Sequence, residues 1–195
     1  MPNLYIIAGC NGAGKTTASF TVLPDMLNCK IFINADEIAR GLSPFDPSLS
    51  SIEAGRLMLK KINKLIPAKE DFAFETTLSS RTFRNTILYA KKFGYDVTLV
   101  FFWLNSVDLA YERVENRVVE GGHHVHRNVI ERRYYAGLEN LFNIFIPICD
   151  YWMVFDNSQK MTSELIAEGI KSESIELKNN AKFVHLKSLI FNDGK

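Results

Sequence analysis

The sequence predicts a three-layer α/β domain built on a mostly parallel, five-stranded sheet. Three observations carry that prediction. Five short strand-like runs alternate with stretches of helix length, several runs are apolar at nearly every position, and a glycine-rich loop joins the first run to the first helix. Continuous apolarity is what a parallel strand covered on both faces requires. With 195 residues, 47% of them hydrophobic and 23% charged, the chain can bury a substantial core and is expected to form a single domain over residues 1–195.

The first strand is Asn3-Leu4-Tyr5-Ile6-Ile7-Ala8, ending at Gly9. From Lys15 onward Phe20, Leu23 and Leu27 recur at helical spacing, and Pro24 predicts a kink or early end. Lys30 to Asn34 reads as the second strand. The stretch 41–47 is rich in turn residues, and Ile52 to Ile66 places Leu59, Ile62 and Ile66 at helix-compatible intervals. Asp71 to Glu75 gives a third strand, followed by a helix near Thr82 to Phe93. Tyr95 to Leu104, with its VTLVFFWL run, is the strongest strand signal and predicts a central position in the sheet. A charged helix starts near Ser106, breaks at Gly121-Gly122, resumes near Val129 and is closed by Pro147, which predicts a helical lid over residues 111–133. Tyr151 to Phe155 is the fifth strand, and the segment 160–191 reads as helical.

Lys plus Arg total 23 against 22 for Asp plus Glu, so nothing supports a broadly basic surface and nucleic acid is not the expected partner. The three cysteines contain no CxxC, and His123, His124 and His126 lack the HExxH spacing, so neither a disulfide framework nor a zinc site is indicated. The N-terminus lacks a basic start followed by a long apolar run, and no stretch has the length of a membrane span. A cytoplasmic setting is expected, with no membrane association.

Gly9-Cys10-Asn11-Gly12-Ala13-Gly14-Lys15-Thr16 satisfies GxxxxGK[ST] between a strand and a helix, the context in which such a loop binds phosphates. Glycines let the backbone curl so that N–H groups face a β-phosphate, Lys15 reaches the β- and γ-phosphates, and Thr16 offers its hydroxyl to Mg2+. The candidate nucleotide residues are Gly9, Asn11, Gly12, Ala13, Gly14, Lys15, Thr16 and Thr17. ATP is the expected donor, with GTP as the alternative. Cys10 reads as a small residue filling the loop.

Asp36 follows the second strand, where it either accepts a proton from an attacking hydroxyl or orients magnesium; helix capping by Asn34 or Asp36 is the competing reading. Glu75 and Thr76 end the third strand on the same edge. Arg56 and Arg81, with Arg84 beside the latter, are candidates for holding the acceptor. Arg113, Arg117 and Arg127 are candidates for neutralising charge on a transferred phosphoryl group, against the alternative of a solvated helix face laced by glutamates. The Arg132-Arg133 pair receives no distinct role. The fourth strand carries no aspartate in its apolar run, which moves the reading away from motor ATPases and toward transfer to a small hydroxyl acceptor. A P-loop ATPase or nucleotide-dependent switch, and a nucleic-acid end kinase, are the alternatives.

Taken together, GCNGAGKTT, INADEIA, FETTLSS, ERVENRVVEGGHHV and VFDNS resemble the zeta toxin family of P-loop kinases over about residues 3–158. That resemblance implies a P-loop kinase fold using ATP or GTP, a UDP-sugar acceptor such as UDP-N-acetylglucosamine, and an antitoxin-like protein partner. It implies that Lys15 and Thr16 serve the phosphates and magnesium, that Asp36 is the base that activates the acceptor hydroxyl, and that Glu75 is an acceptor-side acid. By the same resemblance Arg117 and Arg127 are the lid arginines around the γ-phosphate, with Arg113 as the alternative, and Asp156 and Asn157 flank the nucleotide.

Overall fold

The computed structural model describes residues 1–21, 28–119, 124–159 and 162–191. The elements run β1 (Asn3–Gly9), α1 (Lys15–Thr21), β2 (Phe32–Ile33), α2 (Ala35–Leu42), α3 (Ser51–Ala68), β3 (Phe72–Thr76) and α4 (Thr82–Lys92). They continue with β4 (Asp96–Trp103), α5 (Val107–Val119), α6 (Arg127–Asn140), β5 (Tyr151–Asp156), β6 (Glu164–Ile170), β7 (Ser174–Leu177) and α7 (Asn180–Phe191). The sheet order is β2-β3-β1-β4-β5-β6-β7. Strands β1 to β5 pair in parallel, whereas β6 and β7 are antiparallel.

Successive residues of a strand point to opposite faces. Burial of Ile6, Ile7 and Ala8 on β1 and of every residue from Leu99 to Trp103 on β4 therefore means that both faces of the sheet are covered. β4 pairs with both β1 and β5, the central position its apolar run predicts. Among the described residues no helix is long and apolar enough to cross a membrane.

The sheet has seven strands rather than five. The expected helical segment 160–191 is helical only over α7; residues 164–177 form a hairpin whose first strand pairs with β5. Its turn passes through Lys171, which adopts φ +49°, and the Trp152 indole N–H donates to the Lys171 carbonyl at 2.7 Å. Gly169 lies opposite Trp152 in the register. The pairing partner, not local propensity, decides the conformation of this charged segment.

The helices expected on either side of the Gly121-Gly122 break are present as α5 and α6, and α6 runs on through a wide turn at Leu141–Phe145 and a 3₁₀ turn containing Pro147. The expected break at Gly121-Gly122, with His123, lies outside the described residues, as do Leu23, Pro24 and Leu27 of the first helix.

Because β1 to β5 are parallel, their carboxyl ends share one edge, where ligands of such sheets bind. Helix α6 is fastened to this edge. Tyr134 donates its hydroxyl to the Leu104 carbonyl at 2.6 Å, and Asn140 Nδ2 donates to the Leu78 carbonyl at 2.8 Å. Between them, Gly137 approaches so closely that a Cβ there would lie 2.6 Å from the Thr77 carbonyl oxygen. Gly137→Ala must push the helix off the strand ends and is expected to lower the unfolding free energy by about 1–3 kcal/mol. An unchanged urea midpoint for this variant would contradict the packing.

Candidate active site

The loop between β1 and α1 is closed by a turn in which the Ala13 N–H donates to the Cys10 carbonyl at 3.2 Å. Lys15 Nζ donates to the same carbonyl at 2.9 Å, which folds the side chain along the loop. Burial pushes the Cys10 thiol up to about 11, partly opposed by Lys15. The thiol is therefore protonated at neutral pH and fills space in the loop.

Glu75, at the end of β3, is the junction of this region. Oε2 accepts from Thr16 Oγ1 at 2.7 Å and from Asn34 Nδ2 at 2.9 Å, while Oε1 lies 3.5 Å from Lys15 Nζ. The Lys15 and Glu75 side chains are only 8% and 9% exposed. Glu75, expected on the acceptor side, is thus bonded to the phosphate loop while also lining the cleft in front of it. Its donors explain the placement, because a carboxylate this buried needs them. Asn34 has two jobs: its Oδ1 accepts from the Asp36 backbone N–H at 2.8 Å and caps α2, and its Nδ2 serves Glu75.

Capping leaves Asp36 in the first turn of α2 with its side chain exposed. It lines two adjoining clefts. One, of about 320 Å³, is also lined by Asn11, Lys15, Glu75, Thr76 and Arg133; the other, of about 210 Å³, by Thr16, Arg40 and Arg117. The larger lies at the low end of the range of roughly 300–1,000 Å³ found for small-molecule sites.

The arginines divide. Arg117, on α5, lines the smaller cleft. Arg127, expected beside the transferred phosphoryl group, turns to α5 instead: Nη2 donates to Asp108 Oδ1 at 2.6 Å and the guanidinium stacks on Tyr111 at 5.0 Å. Arg133 occupies the cleft, with Nη1 donating to Asn11 Oδ1 at 3.2 Å, and among the described residues it is paired with no carboxylate. Burial lowers its pKa, partly opposed by Asp36. The reason Arg133 rather than Arg132 faces inward is periodicity: it lies three residues after Ile130 and four before Gly137, beside the buried stripe of α6. Arg113 donates from Nη2 to the Ser158 carbonyl at 2.9 Å.

Arg56 and Arg81, expected to hold the acceptor, are exposed and line neither cleft, whereas their neighbours Gly55, Met58, Ser80 and Thr82 line the larger one. On α3 a one-residue step rotates a side chain by roughly 100°, and that offset separates Arg56 from the cleft-lining Gly55; Arg81 lies just before α4. Thr76 lines the cleft and accepts from the Leu78 N–H. Thr17 is exposed on α1. Asn157 reaches the phosphate loop itself: its Nδ2 donates to the Ala13 carbonyl at 2.7 Å.

Magnesium prefers hard oxygen ligands and keeps several waters, using one or two protein oxygens beside phosphate. Thr16 Oγ1 and Glu75 Oε2, 2.7 Å apart, and the accessible Asp36 carboxylate form a donor set of that kind. The residues present fit the ion.

The family model described as Zeta toxin matches residues 1–147. An uncharacterized protein of Haemophilus influenzae is 33% identical over 127 residues, which are 65% of this chain and 88% of that protein. Among solved structures, a chain of the AvrRxo1-ORF1:-ORF2 complex with ATP is similar with a TM-score of 0.78 and 18% identity, covering 97% of this chain and 64% of that one. This chain therefore spans just under two thirds of that neighbour's length. A chain from the PezAT chromosomal toxin-antitoxin system of Streptococcus pneumoniae has a TM-score of 0.67 and 16% identity, covering 100% of this chain and 80% of that one. At these identities the two structures speak to the fold.

Glu75→Gln keeps the shape of the junction but leaves the Lys15 ammonium buried without a carboxylate. Its unfolding free energy is expected to fall by about 1–3 kcal/mol, measured by urea denaturation. A variant as stable as the parent would mean that the junction contributes nothing to folding.

Proposed function

We propose that this chain, which belongs to the zeta toxin family, is a nucleotide-dependent phosphotransferase of the P-loop kinase type that moves the γ-phosphoryl group of ATP to a hydroxyl of a small molecule held between Asp36 and Arg133. The observation that carries this reading is the placement of Asp36: an accessible carboxylate lines the same cleft as the phosphate-loop lysine.

In the proposed reaction Asp36 accepts the proton of the acceptor hydroxyl as its oxygen attacks the γ-phosphorus. The bond from phosphorus to the bridging oxygen breaks on the opposite side, and ADP carries away the electron pair. Lys15 and Arg133 neutralise the equatorial oxygens, a contribution that grows in a cleft shielded from water. Magnesium, when bound, screens the β- and γ-phosphate charge; Thr16 and Glu75 would hold it, with Asp36 adjacent. Arg117 reaches the phosphates from the smaller cleft.

Thr76, Thr77, Ser80 and Thr82 give the larger cleft a hydroxyl-rich wall, and Met58, Leu59 and Phe83 give it an apolar one. Such a lining suits a polyhydroxylated acceptor, and a UDP-sugar such as UDP-N-acetylglucosamine is the first to test. An antitoxin-like chain is the matching protein partner, supported by the toxin-antitoxin origin of the pneumococcal neighbour.

An ATP-dependent metabolite screen with mass spectrometric product detection tests the reading. Asp36→Asn is expected to lower acceptor-dependent transfer by about 10²-fold or more while leaving ATP affinity within about twofold. Equal transfer by parent and variant would remove Asp36 from the base role. Arg133→Ala is expected to lower kcat by about 10²-fold, against an effect of about threefold or less for Arg127→Ala. The reverse order would restore Arg127 to the phosphoryl group.

A further inference from the structure

Residues beyond the segment matched by the family model reach back to the phosphate loop. Asn157, immediately after β5, donates from Nδ2 to the Ala13 carbonyl at 2.7 Å. Its Oδ1 accepts from Ser163 Oγ at 2.7 Å, and because a carbonyl oxygen only accepts, the Ala13 contact requires the NH2 end of the amide to face the loop. Its backbone N–H donates to the Trp103 carbonyl at 2.9 Å. The contact is close on both sides: Gly14 adopts φ +80°, and a Cβ there would lie 2.6 Å from Asn157 Nδ2.

The elements that hold Asn157 are themselves cross-linked. Ser158 Oγ accepts from the Asn105 N–H at 2.8 Å, and the Ser158 carbonyl accepts from Arg113. The buried Asp156 carboxylate accepts from the Ser158 N–H at 2.9 Å and pairs with Lys182 of α7, which also pairs with Glu164 of β6. Burial pushes the Asp156 carboxyl up, but Lys182 and Ser158 outweigh it and hold it below the usual carboxylate range. A continuous set of bonds thus joins the C-terminal hairpin and helix to the loop.

In a trans peptide the carbonyl and the following N–H point in opposite directions. Holding the Ala13 carbonyl toward Asn157 therefore turns the Gly14 N–H away from it, and this N–H makes no hydrogen bond among the described residues. We propose that Asn157 is a positioning residue for phosphate binding: clamped by the C-terminal hairpin, it sets the Ala13-Gly14 peptide so that the Gly14 N–H meets a phosphate oxygen. The proposal rests on the phosphate-binding reading of the loop and differs from a role in which Asn157 touches the nucleotide base.

Calorimetric titration of the full chain with Mg-ATP, Mg-GTP and magnesium tripolyphosphate separates the two roles, because tripolyphosphate has no base. Asn157→Asp is nearly isosteric and replaces the donor by an oxygen facing the Ala13 carbonyl. It is expected to weaken all three ligands by a common factor of about ten, with a parental circular dichroism spectrum. Ser163→Ala, at an exposed position, is expected to weaken all three by a smaller common factor of about two to three, and it decides the matter should Asn157→Asp fail to fold. Unchanged tripolyphosphate affinity, a shift in the ATP-to-GTP ratio, or no change for any ligand would overturn the proposal. Failure of the parent chain to bind any of the three would instead remove the phosphate-binding reading on which it rests.

Discussion

The organisation of the site depends on one buried carboxylate. Glu75 stands where β3 ends and accepts from side chains of α1 and of the residue capping α2 while facing the lysine of the phosphate loop. These donors come from segments far apart in the chain, and each gives up hydration to reach the carboxylate. Bonds to a charged acceptor are worth roughly 1.5–3 kcal/mol each, so the arrangement survives only if all of them form together. The same residue therefore sets the distance between the glycine-rich loop and the helix that presents Asp36. Chemistry and folding meet at one side chain.

The parallel part of the fold was legible because its strands are buried on both faces and so read as unbroken apolar runs, as in Leu99 to Trp103. The hairpin was not. Glu164, Glu168, Glu173 and Glu176 interrupt a short apolar pattern that fits a helix as well as a strand, and only the exposed edge of β5 selects between them. The turn at Lys171 gave no warning either, since it uses a left-handed lysine where glycine or asparagine is the usual signal.

The placement of the glycine-rich loop between β1 and α1 was legible from spacing, and that of Asp36 from its position after a strand, because both are local features of an α/β edge. The arginines were harder. The family resemblance pointed to Arg127, but Asp108 and Tyr111 engage it on α5. Arg133 could have been singled out by projecting α6 as a wheel, since Ile130, Tyr134 and Gly137 mark the buried side. Arg56 misses the cleft by one helical position relative to Gly55, and Arg81 stands exposed between the cleft-lining Ser80 and Thr82. Asn34 was visible as a cap, but its second bond, to Glu75, spans 41 residues and has no local signature.

The sheet ends on one side in β2, only two residues long, and on the other in β7, only four. Long flat margins invite strands of other molecules to add on and propagate polymers. Here the long, strongly apolar strands are enclosed by their neighbours, and what remains at either margin offers little backbone for a foreign chain to pair with. The architecture thereby keeps its most fibril-prone sequence, the run ending at Trp103, away from intermolecular templating for as long as the native pairing holds.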